Sequence, residues 1–341
     1  MAKLINGLLL LLTVVLPAAG QSRVTLAAAQ APAAGPVPSQ SNASQASWPL
    51  RPVRMVLGFP PGSSVDSTAR LMAPKLAEMW GKPLVMENRS GASGTIATTL
   101  VAQATPDGYT MLYASASFAL NAVVRPNVGY DPLRDFISVT QVGYPTSVIA
   151  VAPSLGVKSV KDLIALAHER GGKLLYGTPG AGSSGHLTVE SFRLAAGMKG
   201  THIAFKGQPE VLIEILAGRV HYAVISLGPG LGLIREGRLL ALAVVTPKRS
   251  PVLPDVPAVV EVLPTFKRDA AHSLLVPAKT PRHIVDKISK DVARALEAPE
   301  VKKQLAVIDF VTAPTTPEET DKILRAQLVT FDELARAVGL K

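Results

Sequence analysis

The sequence predicts an α/β protein built as two lobes that are joined by crossing strands. Two observations predict this fold. Short apolar runs of strand length alternate with amphipathic helices, which is typical of repeated strand–helix–strand units and of parallel sheets. This alternation breaks off and starts again near the middle of the chain, before a helical C-terminal tail. About 300 residues follow this pattern, which is enough for two domains.

The N-terminal region is predicted to lie outside the folded part. A positive start at Lys3 precedes an apolar run that ends at Pro17 and is shorter than the roughly 20 residues of a membrane-spanning helix. Small residues follow, so residues 1–20 are predicted to be a cleavable signal peptide, with an uncleaved anchor as the alternative. Residues 21–47 are rich in Ala, Ser, Gln and Pro and are predicted to form a disordered linker. We therefore expect the mature protein in the periplasm.

Composition excludes several kinds of site. The chain has no cysteine, which removes disulfides, thiolate metal sites and cysteine nucleophiles. Its net charge is +10, but the Lys and Arg residues are dispersed and aromatic residues make up only 5% of the chain. This pattern argues against a nucleic-acid surface and is compatible with a general attraction of anions. We expect no metal and no cofactor.

The first block contains three predicted strands and two predicted helices. An apolar run at residues 53–59 is followed by a Pro/Gly/Ser turn, and Asp66 lies at the start of the first helix. The strands are predicted at residues 53–59, 84–86 and 110–114, and the second helix at residues 95–103. This block belongs to lobe 1, which is predicted to comprise residues 48–147 and 273–341.

The second block, lobe 2, is predicted at residues 148–272. Val160, Leu163, Ile164 and Ala167 follow helical spacing on one face. Strands are predicted at residues 147–152, 173–176, 201–205, 220–225 and 239–245, and further helices at residues 186–196 and 209–217. A return strand at residues 273–276 and two amphipathic helices are predicted to end the chain. The crossings between lobes are placed near residues 148–151 and 274–276.

Four turns rich in Gly and Ser precede helices or end strands. A helix N-terminus carries unpaired N–H groups and partial positive charge, and small residues let an anion approach them. Open α/β sheets place ligands at such carboxyl ends of strands, so turns of this kind in both lobes predict an anion site. The turns are residues 59–64, 90–94, 114–117 and 180–185.

The last of these turns matches a nucleotide-binding pattern. Gly180, Gly182 and Gly185 fit G-x-G-x-x-G between a strand and a helix. A dinucleotide site would need an acidic residue about 20 residues further on, whereas the chain there carries Lys206. We therefore interpret the motif as an anion loop.

The sequence gives little evidence of a catalytic motif. The sequence lacks G-x-S-x-G and H-E-x-x-H. His186, beside Ser183 and Ser184, is either half of a serine dyad or, as we favour, a helix-start residue that bonds its own turn. His202 and His221 lie in strand-like runs and are predicted to be structural.

Nine motifs in order closely resemble the periplasmic receptors of tripartite tricarboxylate transporters, the Bug (Bordetella uptake gene) family. The resemblance extends over residues 48–340. Its most specific motifs are Phe59-Pro60-Pro61-Gly62, Glu87-Asn88-Arg89, Pro106-Asp107-Gly108-Tyr109-Thr110, Gly182-Ser183-Ser184-Gly185-His186-Leu187 and Leu253-Pro254-Asp255-Val256-Pro257.

The resemblance implies a type 2 periplasmic-binding-protein fold that closes around a small carboxylate and catalyses nothing. It also implies a membrane permease as partner, and we expect a monomer. Asp66 is a further candidate contact, although Asp early in a helix also serves as a partner of free N–H groups. The residues that the resemblance assigns to the ligand are Phe59, Pro60, Pro61, Gly62, Ser63, Ser64, Ser115, Ser117, Asn121, Thr178, Gly182, Ser183, Ser184, Phe205 and Ser226.

The sequence departs from the family pattern at three places. Ser63 replaces a usual second glycine, Phe205 replaces a common Tyr, and His221 lies in a strand that commonly carries an Asp. Asp66 is then the only evident partner for an ammonium group, so a ligand without an amine is favoured. Two alternatives stay open: a hydrolase that uses Ser183 or Ser184, and a ligand-sensing accessory of a signalling kinase.

Overall fold

The computed structural model describes residues 48–266 and 270–341. The predicted signal peptide at residues 1–20 and the predicted linker at residues 21–47 lie outside the described residues. Within the two described ranges, none of the helices combines the length and the apolar character that crossing a membrane requires.

The chain begins with alternating strands and helices and then forms one long strand. In order, these elements are β1 (Val53–Leu57), α1 (Ser64–Trp80), β2 (Leu84–Asn88), α2 (Thr95–Ala102), β3 (Thr110–Ser115), α3 (Ser117–Val124) and β4 (Phe136–Pro145).

A second series of strands and helices follows. Its elements are β5 (Ser147–Val151), α4 (Val160–Glu169), β6 (Leu175–Thr178), α5 (Ser184–Ala195), β7 (Thr201–Ala204), α6 (Gln208–Leu216), β8 (Tyr222–Ser226), α7 (Leu227–Arg235) and β9 (Leu240–Val244). The chain ends with β10 (His272–Pro277), α8 (Arg282–Glu297), α9 (Pro299–Val307), β11 (Phe310–Thr312) and α10 (Pro317–Ala337).

The strands form two sheets, each at the centre of one lobe. Lobe 1 contains the six-stranded sheet in the order β11-β4-β10-β3-β1-β2, and lobe 2 the five-stranded sheet in the order β7-β6-β8-β5-β9. Each sheet is covered on both faces by apolar clusters, which explains why strands such as β1 and β5 are almost continuously buried. The predicted two-lobed α/β fold is confirmed.

The prediction of parallel sheets was only partly right. β1 pairs in parallel with β2 and β3, and β6 with β7 and β8. However, β10 is antiparallel to β3 and β4, β11 is antiparallel to β4, and β5 is antiparallel to β8 and β9. The sheets are mixed because the chain passes from one lobe to the other and back, and each crossing brings in an antiparallel strand.

Several elements of the structure were not predicted from the sequence. No strand was predicted at β4 or β11 and no helix at α3, and two terminal helices were predicted where the described chain has α8, α9 and α10. The crossings lie just before the predicted positions. Ser147 already pairs with Ser226 in the sheet of lobe 2, and His272 already pairs with Ser115 in the sheet of lobe 1.

Side-chain caps fix where the helices of the cleft begin. Ser63 Oγ accepts a hydrogen bond from the N–H of Asp66 at the start of α1, and Ser183 Oγ accepts one from the N–H of His186 at the start of α5. Such caps stabilise a helix end by about 1 kcal/mol. They also leave the first N–H groups of each helix facing outward, where both helices reach the cleft.

Candidate functional site

A cavity lies between the two lobes, where strands of both sheets end. Its volume is about 70 Å³, several times the roughly 10–15 Å³ that one water molecule needs. Ser115 at the end of β3 and Ser226 at the end of β8 line it from opposite lobes. His272, at the start of β10, lines it beside the crossing. This is the place where open α/β sheets bind ligands.

The N-terminus of α1 forms one wall of the cavity. Ser64 and Val65 both line it, and their N–H groups have no partner within the helix because they lie in its first turn. The preceding turn places Phe59 against the cavity, and the Phe59 carbonyl accepts a hydrogen bond from Asn88 Nδ2 at 2.9 Å. The wall therefore offers backbone donors and the positive end of a 17-residue helix.

The N-terminus of α5 forms the opposite wall. Ser184, Gly185 and Thr188 line the cavity. The N–H of Ser184 donates to Ser117 Oγ across the cleft at 2.9 Å, and Thr188 Oγ1 donates to the Ser184 carbonyl at 2.8 Å. Because Ser117 belongs to lobe 1, this contact joins the two lobes directly beside the cavity. The structure is thus a closed arrangement of the lobes.

Asp66 does not reach the cavity. The residue is 3% exposed, and its carboxylate accepts hydrogen bonds from Gly62 N (3.0 Å), Arg70 Nε (2.8 Å) and Asn88 Nδ2 (3.0 Å). It therefore holds the Phe59–Ser63 turn against β2, and its predicted candidacy as a ligand contact is not supported by its position.

Two stacked histidines lie under the α5 loop. The rings of His186 and His202 are 3.9 Å apart at their centroids. His186 Nδ1 accepts a hydrogen bond from Gly182 N at 3.2 Å, so its proton resides on Nε2, which lies 3.7 Å from Glu190 Oε1. Burial, together with the nearby charges of His202 and Arg193, lowers the pKa of His186 to about 3. The neutral imidazole thus supports the loop.

The hydrogen bonds of the three histidines agree with the structural roles predicted for them. His186 bonds its own turn, as favoured over the dyad. His202 Nε2 lies 2.6 Å from Thr178 Oγ1, and His221 Nδ1 accepts the N–H of Leu175 at 2.8 Å. All three act inside lobe 2 as structural partners. The described residues also bring together no group of three or more His, Asp or Glu side chains that is placed to hold a metal ion.

The cavity collects part of the predicted ligand set. Those predicted residues that line it are Phe59, Ser63, Ser64, Ser115, Ser184 and Ser226. Others support it from behind: Thr178 is fully buried against His202, and Ser183 is fully buried as the cap of α5. A bulky side chain at Ser183 would therefore disrupt the helix start, whereas Ser184 lies on the cavity wall.

The remaining predicted residues lie away from the cavity. Pro61 and Gly62 are exposed, and the side chain of Pro60 occupies the space over Gly207 in lobe 2. Phe205 packs against Gly177 in lobe 2. Ser117 and Asn121 bond other protein groups, Ser117 to Ser184 and Asn121 to Ser93. These residues shape the cleft without lining it.

Sequence reasoning found six of the described lining residues and missed ten. The missed lining residues are Val65, Pro145, Ser147, Pro179, Gly185, Thr188, Gln208, Val224, Ala270 and His272. Pro145, Ser147 and Ala270 lie beside the crossings, so a rule that crossing segments pass the cleft would have found them. Gln208 and His272 gave no signal, because each is a single polar residue whose position depends on the tertiary fold. Gln208 bonds both backbone groups of Ser226.

Comparison with known proteins supports this description. A family profile described as "Tripartite tricarboxylate transporter family receptor" matches residues 68–340. The chain is 32% identical over 295 residues to a UPF0065 protein of Bordetella bronchiseptica, covering 86% of this chain and 88% of that one. It is 31% identical over 297 residues to the protein BugT of Bordetella pertussis, covering 86% and 91%.

Solved structures agree with the fold. The R. palustris protein Rpa4515 with adipate matches with a TM-score of 0.83 and 33% identity, covering 86% of this chain and 98% of that one. MatC (Rpa3494) from Rhodopseudomonas palustris with bound malate matches with a TM-score of 0.79 and 27% identity, covering 84% and 99%.

Proposed function

The chain belongs to the tripartite tricarboxylate transporter receptor family, and we propose that it captures a small carboxylate without an amine. In this proposal the signal peptide carries the chain to the periplasm, and the closed receptor delivers its ligand to the permease of such a transporter. Receptors of this family are periplasmic solute-binding proteins.

The observation that carries the proposal is the chemistry of the cavity walls. Helices α1 and α5 direct their N-termini at the cavity from opposite lobes. Among the described lining residues there is no Asp, Glu, Lys or Arg. Backbone N–H groups and serine hydroxyls favour an anion, and a carboxylate held between two helix N-termini needs no counter-charge from a side chain. Among these described residues an ammonium group would find no acidic partner.

Closure adds to affinity. The Ser117–Ser184 contact seals one side of the cavity, so a bound carboxylate would be shielded from water. Hydrogen bonds to a charged acceptor are stronger than neutral ones, and they gain further in a water-poor cavity. We therefore place the affinity in preorganised donors that meet only when the lobes are closed.

Catalysis by a serine of the α5 loop is disfavoured by the hydrogen bonds of His186. A general base needs a free ring nitrogen within reach of the nucleophile. Nδ1 of His186 is occupied by the Gly182 N–H, and Ser183 Oγ accepts the backbone N–H of His186. Neither arrangement activates a hydroxyl. The relatives likewise offer no support for a partnership with a signalling kinase.

Thermal unfolding against a panel of acids tests the proposal. The panel contains adipate and malate, because relatives of known structure hold them, together with citrate, lactate and aspartate. A ligand at one hundred times its dissociation constant adds about 2.7 kcal/mol, which shifts the melting temperature by several degrees. We expect a shift with at least one amine-free acid and a smaller shift, or none, with aspartate.

A variant pair ties the shift to the cavity. Ser184→Leu fills the wall of α5 and should abolish the ligand-induced shift while the protein still folds. Ser154→Leu, at an exposed serine away from the cavity, is the matched control and should respond like the unchanged protein. A shift that survives Ser184→Leu would move the site elsewhere. Hydrolysis of model esters that Ser184→Ala removes would instead favour the enzyme alternative.

A further inference from the structure

A second set of contacts joins the lobes outside the ligand cavity. The carbonyl oxygen of Ala181, in the loop before α5, accepts two hydrogen bonds from lobe 1. Ser93 Oγ donates one at 2.8 Å and Arg125 Nη2 donates the other at 2.7 Å. One donor is a guanidinium, so the pair is stronger than two neutral hydrogen bonds. We call Ser93, Asn121, Arg125 and Ala181 the latch.

Asn121 holds the two donors of the latch, Ser93 and Arg125, in position. Its side chain is 1% exposed and bonds Ser93 and Arg125 at once. Asn121 Nδ2 donates to the Ser93 carbonyl at 3.0 Å, while Asn121 Oδ1 accepts from Arg125 Nε at 2.8 Å. Ser93 has a φ of 57°, a left-handed conformation that is unfavourable for a residue with a side chain. The surroundings thus maintain a strained residue whose hydroxyl reaches the opposite lobe.

The glycines of the G-x-G-x-x-G motif fit this close approach. A Cβ on Gly180 would lie 2.5 Å from Ser93 Oγ, and one on Gly182 would lie 3.4 Å from Asn121 Oδ1. Both glycines also have positive φ angles, 128° and 74°. The loop therefore needs glycine where it meets lobe 1. This contact, rather than a nucleotide, accounts for the first two glycines of the motif.

None of the four latch residues lines the ligand cavity. We propose that the latch holds a large fraction of the ligand-free receptor closed and thereby sets ligand affinity and exchange rates without touching the ligand. The part about affinity rests on the proposed function. Because the closed state is the one that holds the ligand tightly, the apparent dissociation constant equals that of the closed state divided by the closed fraction. Loss of the latch then weakens binding even when the cavity is intact.

Two variants test the latch. Arg125→Met removes the charged donor but keeps the length of the side chain. Ser93→Gly removes the hydroxyl and also relieves the left-handed strain, so its stability should stay equal or rise while its latch is lost. A residue with a merely structural role would not combine equal or higher stability with loss of the latch. Arg125→Lys keeps a positively charged donor and should retain part of the closure that Arg125→Met loses. Arg325→Met, which removes only an ion pair within α10, is the matched control.

The first readout needs no ligand. The chain has no cysteine, so spin labels on Val329→Cys in lobe 1 and Ile213→Cys in lobe 2, both exposed positions, report one inter-lobe distance. We expect one narrow distance distribution in the otherwise unchanged protein. Arg125→Met and Ser93→Gly should add a population at longer distance, and Arg325→Met should not. Identical distributions in all variants would overturn the latch.

The second readout uses adipate and malate with the unlabelled variants. Loss of the charged hydrogen bond should raise the dissociation constant about tenfold. Association should become faster, because more of the receptor is open, while dissociation accelerates more strongly. Equal affinities and rates in Arg125→Met and the unchanged protein would refute the link to affinity. If no amine-free acid of the panel binds the unchanged protein, the proposed ligand class fails, and the distance measurement still decides the latch.

Discussion

At the level of single residues, Asp66 was a candidate ligand contact whose hydrogen bonds instead indicate a structural role. Three donors converge on its buried carboxylate, from Gly62, Arg70 and Asn88. We expect Asp66→Ala to lower the free energy of unfolding by about 3 kcal/mol, because the donors lose a charged acceptor that is closed to water. Urea denaturation measures this loss.

Asp66→Asn is the control for this experiment. It keeps the size of the side chain and one acceptor oxygen, so its loss of stability should be clearly smaller. A stable Asp66→Ala protein that no longer binds any acid of the panel would contradict the structural role and return Asp66 to the ligand set.

His186 gives the protein a definite dependence of stability on pH. Its pKa is about 3 in the folded protein because of burial first and of the neighbouring His202 and Arg193 next; the unfolded value is near 6.5. Between these values the unfolded chain binds the additional proton, so stability falls as the pH drops below 6.5. At pH 5 the expected loss is about 2 kcal/mol.

Unfolding by urea at pH 7 and pH 5 checks this dependence. His186→Asn supplies a neutral acceptor for the Gly182 N–H and cannot take up a proton, so the fall between the two pH values should be smaller in this variant. Part of the fall should persist, because burial also lowers the pKa of His202. Equal slopes in both proteins would show that His186 does not titrate as its burial implies.

How far the residues of the site could be predicted depends on whether their role is local. Ser63 and Ser184 lie at helix starts, which composition and spacing mark, and both line the cavity. Asn121 was predicted to contact the ligand, but it bonds Ser93 and Arg125 instead. No local pattern distinguishes a polar residue that faces a ligand from one that faces the opposite lobe, because both lie near the cleft.

At the level of elements, β4 shows why a central strand escaped prediction. Its ten residues include Gln141, Gly143 and Pro145, and they do not alternate between apolar and polar. β4 is buried between β10 and β11, and some of its polar groups have partners outside the sheet. The N–H of Gln141 donates to Thr315 Oγ1 and Thr320 Oγ1, and Thr140 Oγ1 accepts the N–H of Thr315. These partners lie far along the chain, so the sequence of the strand alone could not reveal it.

The helices that were predicted well carry their own signals. α8 has Ile284, Ile288, Val292 and Leu296 on one buried face, as the spacing indicates. α3 is short and is followed closely by Pro126, and its residues are mostly apolar, so no amphipathic period marks it. Its burial beneath α10 instead depends on packing between segments distant in sequence.

At the level of the whole molecule, a noncovalent contact at the hinge accompanies the two crossings. Asp309, just before β11, is 7% exposed and has a φ of 50°. Ser250 Oγ, on the lobe 2 side, donates to its carboxylate. The carbonyl oxygen of Asp309 accepts the N–H of Thr146 at 3.1 Å. The Thr146 carbonyl in turn accepts the N–H of Leu227 at 2.8 Å. This contact ties the C-terminal segment of lobe 1 to the first crossing and to lobe 2.

We therefore expect Asp309 to couple the unfolding of the two lobes. Both tryptophans, Trp48 and Trp80, lie in the core of lobe 1, so their fluorescence reports that lobe, whereas far-ultraviolet circular dichroism reports both. In the unchanged protein the two urea transitions should coincide, as in a cooperative unit. Asp309→Ala should lower the free energy of unfolding by about 2 kcal/mol, since it loses the buried hydrogen bond and tolerates the left-handed backbone poorly.

The two probes should separate in Asp309→Ala, because the lobes then unfold with less mutual support. Asp309→Asn retains an acceptor and a side chain that tolerates a positive φ, so its transitions should stay together. If the transitions of Asp309→Ala still coincide, the covalent crossings alone couple the lobes. In that case the hinge contact adds stability without adding cooperativity, and lobe closure would depend on the cleft contacts rather than on the hinge.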